Sequence, residues 1–549
     1  MNTKLFIKSV LATAFIAQSG QAFAAQYEIK EIAPLDKYKQ HFSMGLNDSG
    51  TVVGITRDTF NFPFYLESYL DAYKTSCGLS DSELASGIFD ASSTKCLGNE
   101  LAEYSGNPLY QKVGSSKSFI SSGSDTSLAI LTDVEDSELG DYTHSNLEEL
   151  KAINATNIAV GTASAPFIPV DFTYTSDDNI STDVRFWQRD YKTRAVVYVN
   201  GVGTNIEPAF SEYGGVTSAV DISDSGYVAG YSSIALVEAA QTSIETDCTN
   251  ESSPLLVCVW TTQLSGEIYT KRPYIWQVDD FGEVLSSTEF GLAFTPTETQ
   301  TGTYTAIITA VNDDGVGVGY GQIPNSDENI RTQPLLFGPD GTESLIDNDL
   351  YDAGYATDIN SSNIVVGKVQ TYYDGTYNDE FFVYDILNDE LQIPTTFYTT
   401  AESSANAIND LGKVVGEAEY EVTTDTVRRK HGFIYDINTK ELFDINDLIG
   451  CNSEFEIVEM KDINNNNQIA ATALKLVEYR DSLGNFLYDS AGEAYMEQVA
   501  VSVLLSPISG EIETCSEDEA DKYERKGLSS TPMLLIFLST LLYIRRKSI

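Results

Sequence analysis

The sequence is poor in the residues that carry most enzymatic chemistry. Its three histidines, His41, His144 and His431, are scattered along 549 residues, too few and too far apart for a histidine-based triad or a zinc site. Cations are scarce as well: 33 Lys and Arg stand against 81 Asp and Glu, a formal charge of −48. Nucleic acid needs a basic surface, so that partner is excluded, and direct adhesion to anionic lipid is disfavoured. There is no G-x-S-x-G elbow, H-E-x-x-H helix or phosphate-cradling loop, so no cofactor is implied. No long stretch between residues 26 and 525 shows helical periodicity, whereas Tyr, Thr, Val and Ile, which suit strands, abound.

What the chain has instead is a ten-residue phrase used seven times. The clearest copy is Ala407-Ile-Asn-Asp-Leu-Gly-Lys-Val-Val-Gly416, and the others begin at Gly45, Ala152, Asp221, Ala310, Asp358 and Asp462. An aliphatic residue is followed by Asn (Ser223 in one copy), two variable polar residues, a fixed position and a small or β-branched run. The fixed position holds Gly50, Asn157, Gly226, Gly315, Asn363, Gly412 and Asn467. Gly and Asn are the residues that most readily accept left-handed backbone angles, as the last position of a three-residue hairpin requires. The preceding Asn is placed to bond the backbone two residues on. Each phrase is therefore a β-hairpin apex, and its Asn and Asp residues are turn formers. Asp462-x-Asn464-x-Asn466 is like the start of a calcium loop but lacks the Gly and Glu that such a loop needs at positions 6 and 12.

Spacing sets the architecture. Steps of 48, 49 and 55 residues separate Asn312, Asn360, Asn409 and Asn464, a period that belongs to propeller blades. Each unit adds an aromatic strand (Arg272–Trp276, Pro334–Phe337, Phe381–Tyr384, His431–Tyr435) and a short last strand such as Asn438–Phe443. That makes four strands, the number in a blade. The expected fold is an all-β propeller of seven four-stranded blades; an open β-solenoid or two smaller β domains are the alternatives. The ends support closure, since Tyr27–Ile32 reads as an outer strand able to join the last blade and remove an exposed edge. The first half is less regular, with excess chain at about 67–145, 166–190 and 234–268. These segments read as insertions, where function usually resides. A degenerate eighth blade is a further possibility near Lys117–Thr132.

The termini are of another kind. Lys4 and Lys8, the apolar Val10–Ala17 and Ala22-Phe-Ala24 make residues 1–24 a secretory signal. Residues 516–531 form an acidic and polar spacer. Pro532–Ile544 is apolar and is followed by Arg545-Arg-Lys547, which reads as a membrane anchor or a sorting signal. The six cysteines suit an oxidising compartment. Expected pairs are Cys77 with Cys96, Cys248 with Cys258, and Cys451 with Cys515, among 15 possible connectivities.

The phrase, followed by a strand of the His431-Gly-Phe-Ile-Tyr435 type, resembles the HAF repeats of bacterial extracellular proteins. The whole layout resembles a Gram-negative envelope family of unknown function. The tail is similar to the GlyGly-CTERM sorting signal, although that pattern has paired glycines where this chain has Gly527 alone.

The sequence thus points to an exported, monomeric, non-enzymatic binding or scaffold propeller at the periplasm or cell surface. It would meet an envelope partner or glycan through its insertions and the membrane only through its tail. Trp187 and Trp260, at the edges of insertions, are the candidate ligand residues, while Trp276 on an aromatic strand is a core candidate. The alternative is a secreted polysaccharide hydrolase using carboxylates in the central cleft, although with so many acids no pair stands out on spacing. A third reading is a calcium-dependent surface protein.

Overall fold

The computed structural model describes residues 26–509, apart from 67–69, 124, 176–180, 249–251, 299, 301, 303, 374 and 423–427. The signal, the spacer, the apolar tail and Cys515 lie outside the described residues.

Every copy of the phrase closes a hairpin. The fixed residue is left-handed in all seven, with φ between +57° at Asn467 and +79° at Gly226 and Gly412. In six copies the Asn side-chain oxygen accepts the backbone N–H four residues on, at 2.9–3.0 Å; Ser223 does the same through its hydroxyl. The last Gly of the phrase has its own cause. The strand before the turn slips register by one residue, for example between Ala405 and Ala407, and this bulge pushes a carbonyl against the facing strand. A Cβ on Gly416 would lie 2.0 Å from the Ser404 oxygen, and one on Gly230 would lie 1.8 Å from that of Ser218.

Seven four-stranded antiparallel sheets result. Blade 1 holds Tyr38–Leu46, Val52–Thr59, Lys117–Ser121 and Thr126–Ala129. Blade 2 holds Glu148–Ile153, Ala159–Ala163, Arg194–Val199 and Val202–Ile206. Blades 3 to 6 begin at Thr217, Ala306, Gly354 and Ser403. Blade 7 takes Phe455–Ile463, Ile469–Glu478 and Met496–Ile508 from the end of the chain and Gln26–Glu31 from its start, paired from Gln26↔Ile508 to Glu31↔Val503. The protein is a seven-bladed β-propeller closed by its first strand. The stretch expected as an eighth blade is the third and fourth strands of blade 1, displaced from their partners by a long insertion.

The core is divided in the same way. Seven apolar clusters fill the seven blade-to-blade interfaces. Between blades 5 and 6, for instance, Val366, Phe381 and Val383 pack on Ile408, Val414 and Phe433. Trp276 is buried between blades 2 and 3.

The insertions share one face. The phrase hairpin joins a blade's first and second strands, so in an antiparallel sheet the second-to-third connection leaves from the opposite end. The long segments 60–116, 164–193, 237–268 and 479–495 are all such connections. They also contain helices that the lack of periodicity did not foreshadow, among them Ala91–Glu103, Glu238–Asp247 and Leu255–Ser265. These are short pieces held by local constraints rather than by a long apolar stripe. Asp90 caps the first by accepting the Ser93 N–H, and Cys77–Cys96 ties it to the loop before it. Cys248–Cys258 joins the other two. Among the described residues no helix is long and apolar enough to cross a membrane.

Replacing Asn409 by Ala removes the acceptor for Lys413 N–H and is expected to lower stability by about 1–3 kcal/mol, read from urea midpoints. Gly416→Ala is expected to cost a similar amount, about 1–3 kcal/mol, through overpacking. A neutral result for both would deny the turn its structural role.

Candidate functional site

Two concave regions stand out, one on each face. On the turn face the seven phrases ring the mouth of the central channel, a cavity of about 180 Å³. Its polar groups are spent on joining blades. Asn47, Asn154, Asn360, Asn409 and Asn464 each donate a side-chain N–H to the backbone carbonyl of the next phrase, and Asn312 donates to the side chain of Asn363. Where the fixed residue is Asn rather than Gly, its side-chain oxygen accepts a bond from the preceding blade: Asn47 to Asn157, Asn312 to Asn363, Asn409 to Asn467. Only Ser223 lacks an amide to pass on.

Deeper in the channel stand Asp221, Asp358 and Asp462, on alternate blades 3, 5 and 7. The equivalent positions elsewhere hold Gly45, Ala152, Ala310 and Ala407. Each carboxylate accepts the backbone N–H of the next blade, from Val311, Ile408 and Leu46 respectively, at 2.7–2.8 Å. Enclosure by protein raises the pKa of Asp221 and of Asp462 to about 6. Asp358 is raised by burial first and then by the Asp221 charge.

On the insertion face, a cleft of about 510 Å³ opens where blades 1 and 7 meet. One wall is the helix Ala91–Glu103, presenting Thr94, Lys95, Gly98 and Asn99. Another is the hairpin rising from blade 7, which contributes Tyr479–Ser482. The two walls are tied, since Ser482 donates its hydroxyl to the Ala91 carbonyl and its own carbonyl accepts Asn61 N–H. Phe60 and Phe62 line the cleft between them, and Arg480 lies over the rings of Phe60 and Phe486.

The charges in the cleft do not cancel. Its acids are occupied: Asp58 accepts Gln40, and Asp481 accepts Leu483 N–H, Asn485 N–H and the Asn485 amide inside a turn. Lys39 pairs with Glu497 at 2.6 Å. Arg57, set over the Phe42 ring, and Lys95 are exposed and have no carboxylate partner among the described residues. Three further residues lining the cleft carry polar atoms with no hydrogen-bond partner in the protein: Tyr38 Oη, Thr56 Oγ1 and His144 Nδ1. Their residues are 4%, 0% and 4% exposed. Burial, then the nearby Lys37 and Lys117, lowers the pKa of His144, so its ring is neutral. Its Nε2 lies 3.3 Å from the Lys37 ammonium and 3.4 Å from an Asp141 carboxylate oxygen, while Nδ1 has no partner in the protein.

The residues picked from sequence fall elsewhere. Trp187 and Trp260 are 1% and 5% exposed and pack with Tyr65 and Phe167 in one aromatic cluster. That cluster fastens three insertions together. Neither indole has a face left for a sugar, which corrects their assignment as ligand residues. His431 is bonded to Asp444 at 2.6 Å and stacked on Tyr420, a structural position. Asn464, in the calcium-like stretch, is a turn former like its six counterparts. The one grouping of metal-type ligands among the described residues is Cys77, Cys96 and Glu100, and its sulfurs are joined to each other.

Taken together, these features define a propeller with a channel face of inter-blade hydrogen bonds and an opposite face built from insertions. The chain belongs to the family described as Protein of unknown function (DUF3466), whose model matches residues 6–547. No curated protein matches it in sequence. Among solved structures, the β-propeller domain of the trilobed protease from Pyrococcus furiosus is similar at 9% identity and a TM-score of 0.35, over 84% of this chain and 98% of that one. Oligogalacturonate lyase from Vibrio parahaemolyticus is similar at 9% and 0.35, over 88% and 97%. TolB from Acinetobacter baumannii is similar at 9% and 0.27, over 89% and 98%. Likenesses at this level carry no argument about activity.

The channel aspartates make a pH prediction. Their folded pKa values lie above the unfolded value, so they favour the folded state below about pH 4 and that contribution is lost as the pH rises through about 6. Asp221→Asn and Asp462→Asn keep an acceptor oxygen without the charge. Each is expected to gain on the order of 1–3 kcal/mol over the parent protein on going from pH 4 to pH 7, measured by urea unfolding. A difference independent of pH would contradict the assignment.

Proposed function

We propose that this protein is an extracytoplasmic binding propeller that captures a glycan in the cleft between blades 1 and 7 and does not transform it. The two disulfides, Cys77–Cys96 and Cys248–Cys258, support a site of action outside the reducing cytoplasm. The observation that carries the reading is the set of unpartnered polar atoms on Tyr38, Thr56 and His144, beside the rings of Phe60 and Phe62 in a cleft of small-molecule size. Buried polar groups are normally bonded. Three such atoms buried at the wall of one cleft, next to aromatic rings, suit a hydroxylated ligand that reaches them with a small adjustment of the wall or through ordered water. Of the described residues lining the cleft, Asp58 and Asp481 carry the carboxylates, and Asp481 is held inside its own turn, which favours binding over cleavage by a carboxylate pair.

The test is a panel of neutral and acidic cell-envelope oligosaccharides, scored for thermal shift and for new reducing ends on the same samples. A raised Tm with no reducing ends is expected. Time-dependent release of reducing ends would replace this reading with the hydrolase, and a panel without any shift would remove the glycan.

A further inference from the structure

We infer that the ligand of this cleft is an acidic saccharide, one that carries a carboxylate or sulfate on a hydroxylated ring. The inference rests on the binding reading above and narrows it by charge. In a chain of net charge −48, two exposed cations with no carboxylate partner, Arg57 and Lys95, line this one cleft. They come from independent elements, Arg57 from the second strand of blade 1 and Lys95 from the disulfide-tethered helix. Arg480 joins them on the blade 7 hairpin, its guanidinium held over two aromatic rings with Nη1 turned to the Asp36 carbonyl and its other edge N–H groups left for an oxyanion.

Buried at the wall of the cleft, the Tyr38 and Thr56 hydroxyls and His144 Nδ1 have no partner in the protein, whereas the cleft's own acids, Asp58 and Asp481, already accept hydrogen bonds. A donor-rich site selects an acceptor-rich ligand, and cations within it strengthen each such bond. The aromatic walls favour rings over an extended acidic peptide. A second cavity of about 300 Å³ adjoins the first through Tyr38, Lys39, Phe60 and Arg480 but is lined by Glu31, Asp36, Glu478 and Glu497, so the acidic group belongs in the first cleft.

The test uses the full mature protein and three probes by calorimetry: a linear trisaccharide of uronic acids, its methyl ester and a sulfated trisaccharide. The acid is expected to bind, with the ester weaker by about tenfold or more and the acid's affinity falling with salt. The sulfated probe separates carboxylate from sulfate recognition. The double variant Arg57→Gln/Lys95→Gln changes two exposed side chains, so its Tm is expected to stay put while acid binding falls about tenfold or more. Tyr38→Phe removes a hydroxyl with no partner; it is expected to leave Tm unchanged or raised and to weaken binding. Equal binding of acid and ester, or full binding by the double variant, would overturn the charge assignment and leave the glycan reading standing. No binding of either acidic probe, together with a shift from a neutral member of the earlier panel, would also overturn it.

Discussion

One side-chain amide holds this architecture. In six of the seven phrases an Asn accepts N–H groups from its own turn while giving its own side-chain N–H to the next blade. Local folding and ring assembly therefore depend on the same group. A hairpin whose turn is not left-handed at Gly412 cannot place Asn409 to reach Asn464, and a blade out of register would leave buried amides unpaired at a cost comparable to a lost hydrogen bond. The bulge before the turn and the Gly after it belong to the same constraint. Together, in blades 1 to 6, they press a first-strand carbonyl against the second strand, where no Cβ fits.

This economy explains why the channel face is a poor place to look for function. Its carboxylates and amides are committed to neighbouring blades, and the three aspartates that intrude on the lumen are held by backbone N–H groups from the next blade. The opposite face is free of that duty. There the connections between second and third strands have lengthened into helices and hairpins, stapled by disulfides and by the Tyr65, Phe167, Trp187 and Trp260 cluster. Rigidity of these insertions is what allows a cleft to keep polar atoms unpaired, because a mobile loop would collapse to satisfy them.

Much of the fold was legible in the sequence because it is written in local chemistry. The left-handed positions, the blade count and the closing strand all follow from turn residues and spacing. The insertions were legible only as excess length. Their helices are too short to show a period, and the third strand of blade 1, parted from the second by residues 60–116, looked like a separate unit. The same turn pattern occurs at Asp481–Gly484 and Asp489–Gly492, where both glycines are left-handed, and it would have revealed the blade 7 hairpin. The site itself was not legible. Tyr38 and Arg57 share the first hairpin of blade 1, but Lys95, His144 and Arg480 come from three other segments and the five share no motif; only the fold brings them together. The two tryptophans misled because size and position near an insertion say nothing about which way a ring faces.

The most direct test of this account is native-state hydrogen exchange along the whole chain. If the phrase turns lock the ring as one unit, the N–H groups of Thr51, Ile158, Val316, Ile364, Lys413 and Gln468 should all exchange with the free energy of global unfolding, and insertion amides should open earlier. Exchange that differs from blade to blade at these six positions, or turns that open before the insertions, would contradict it.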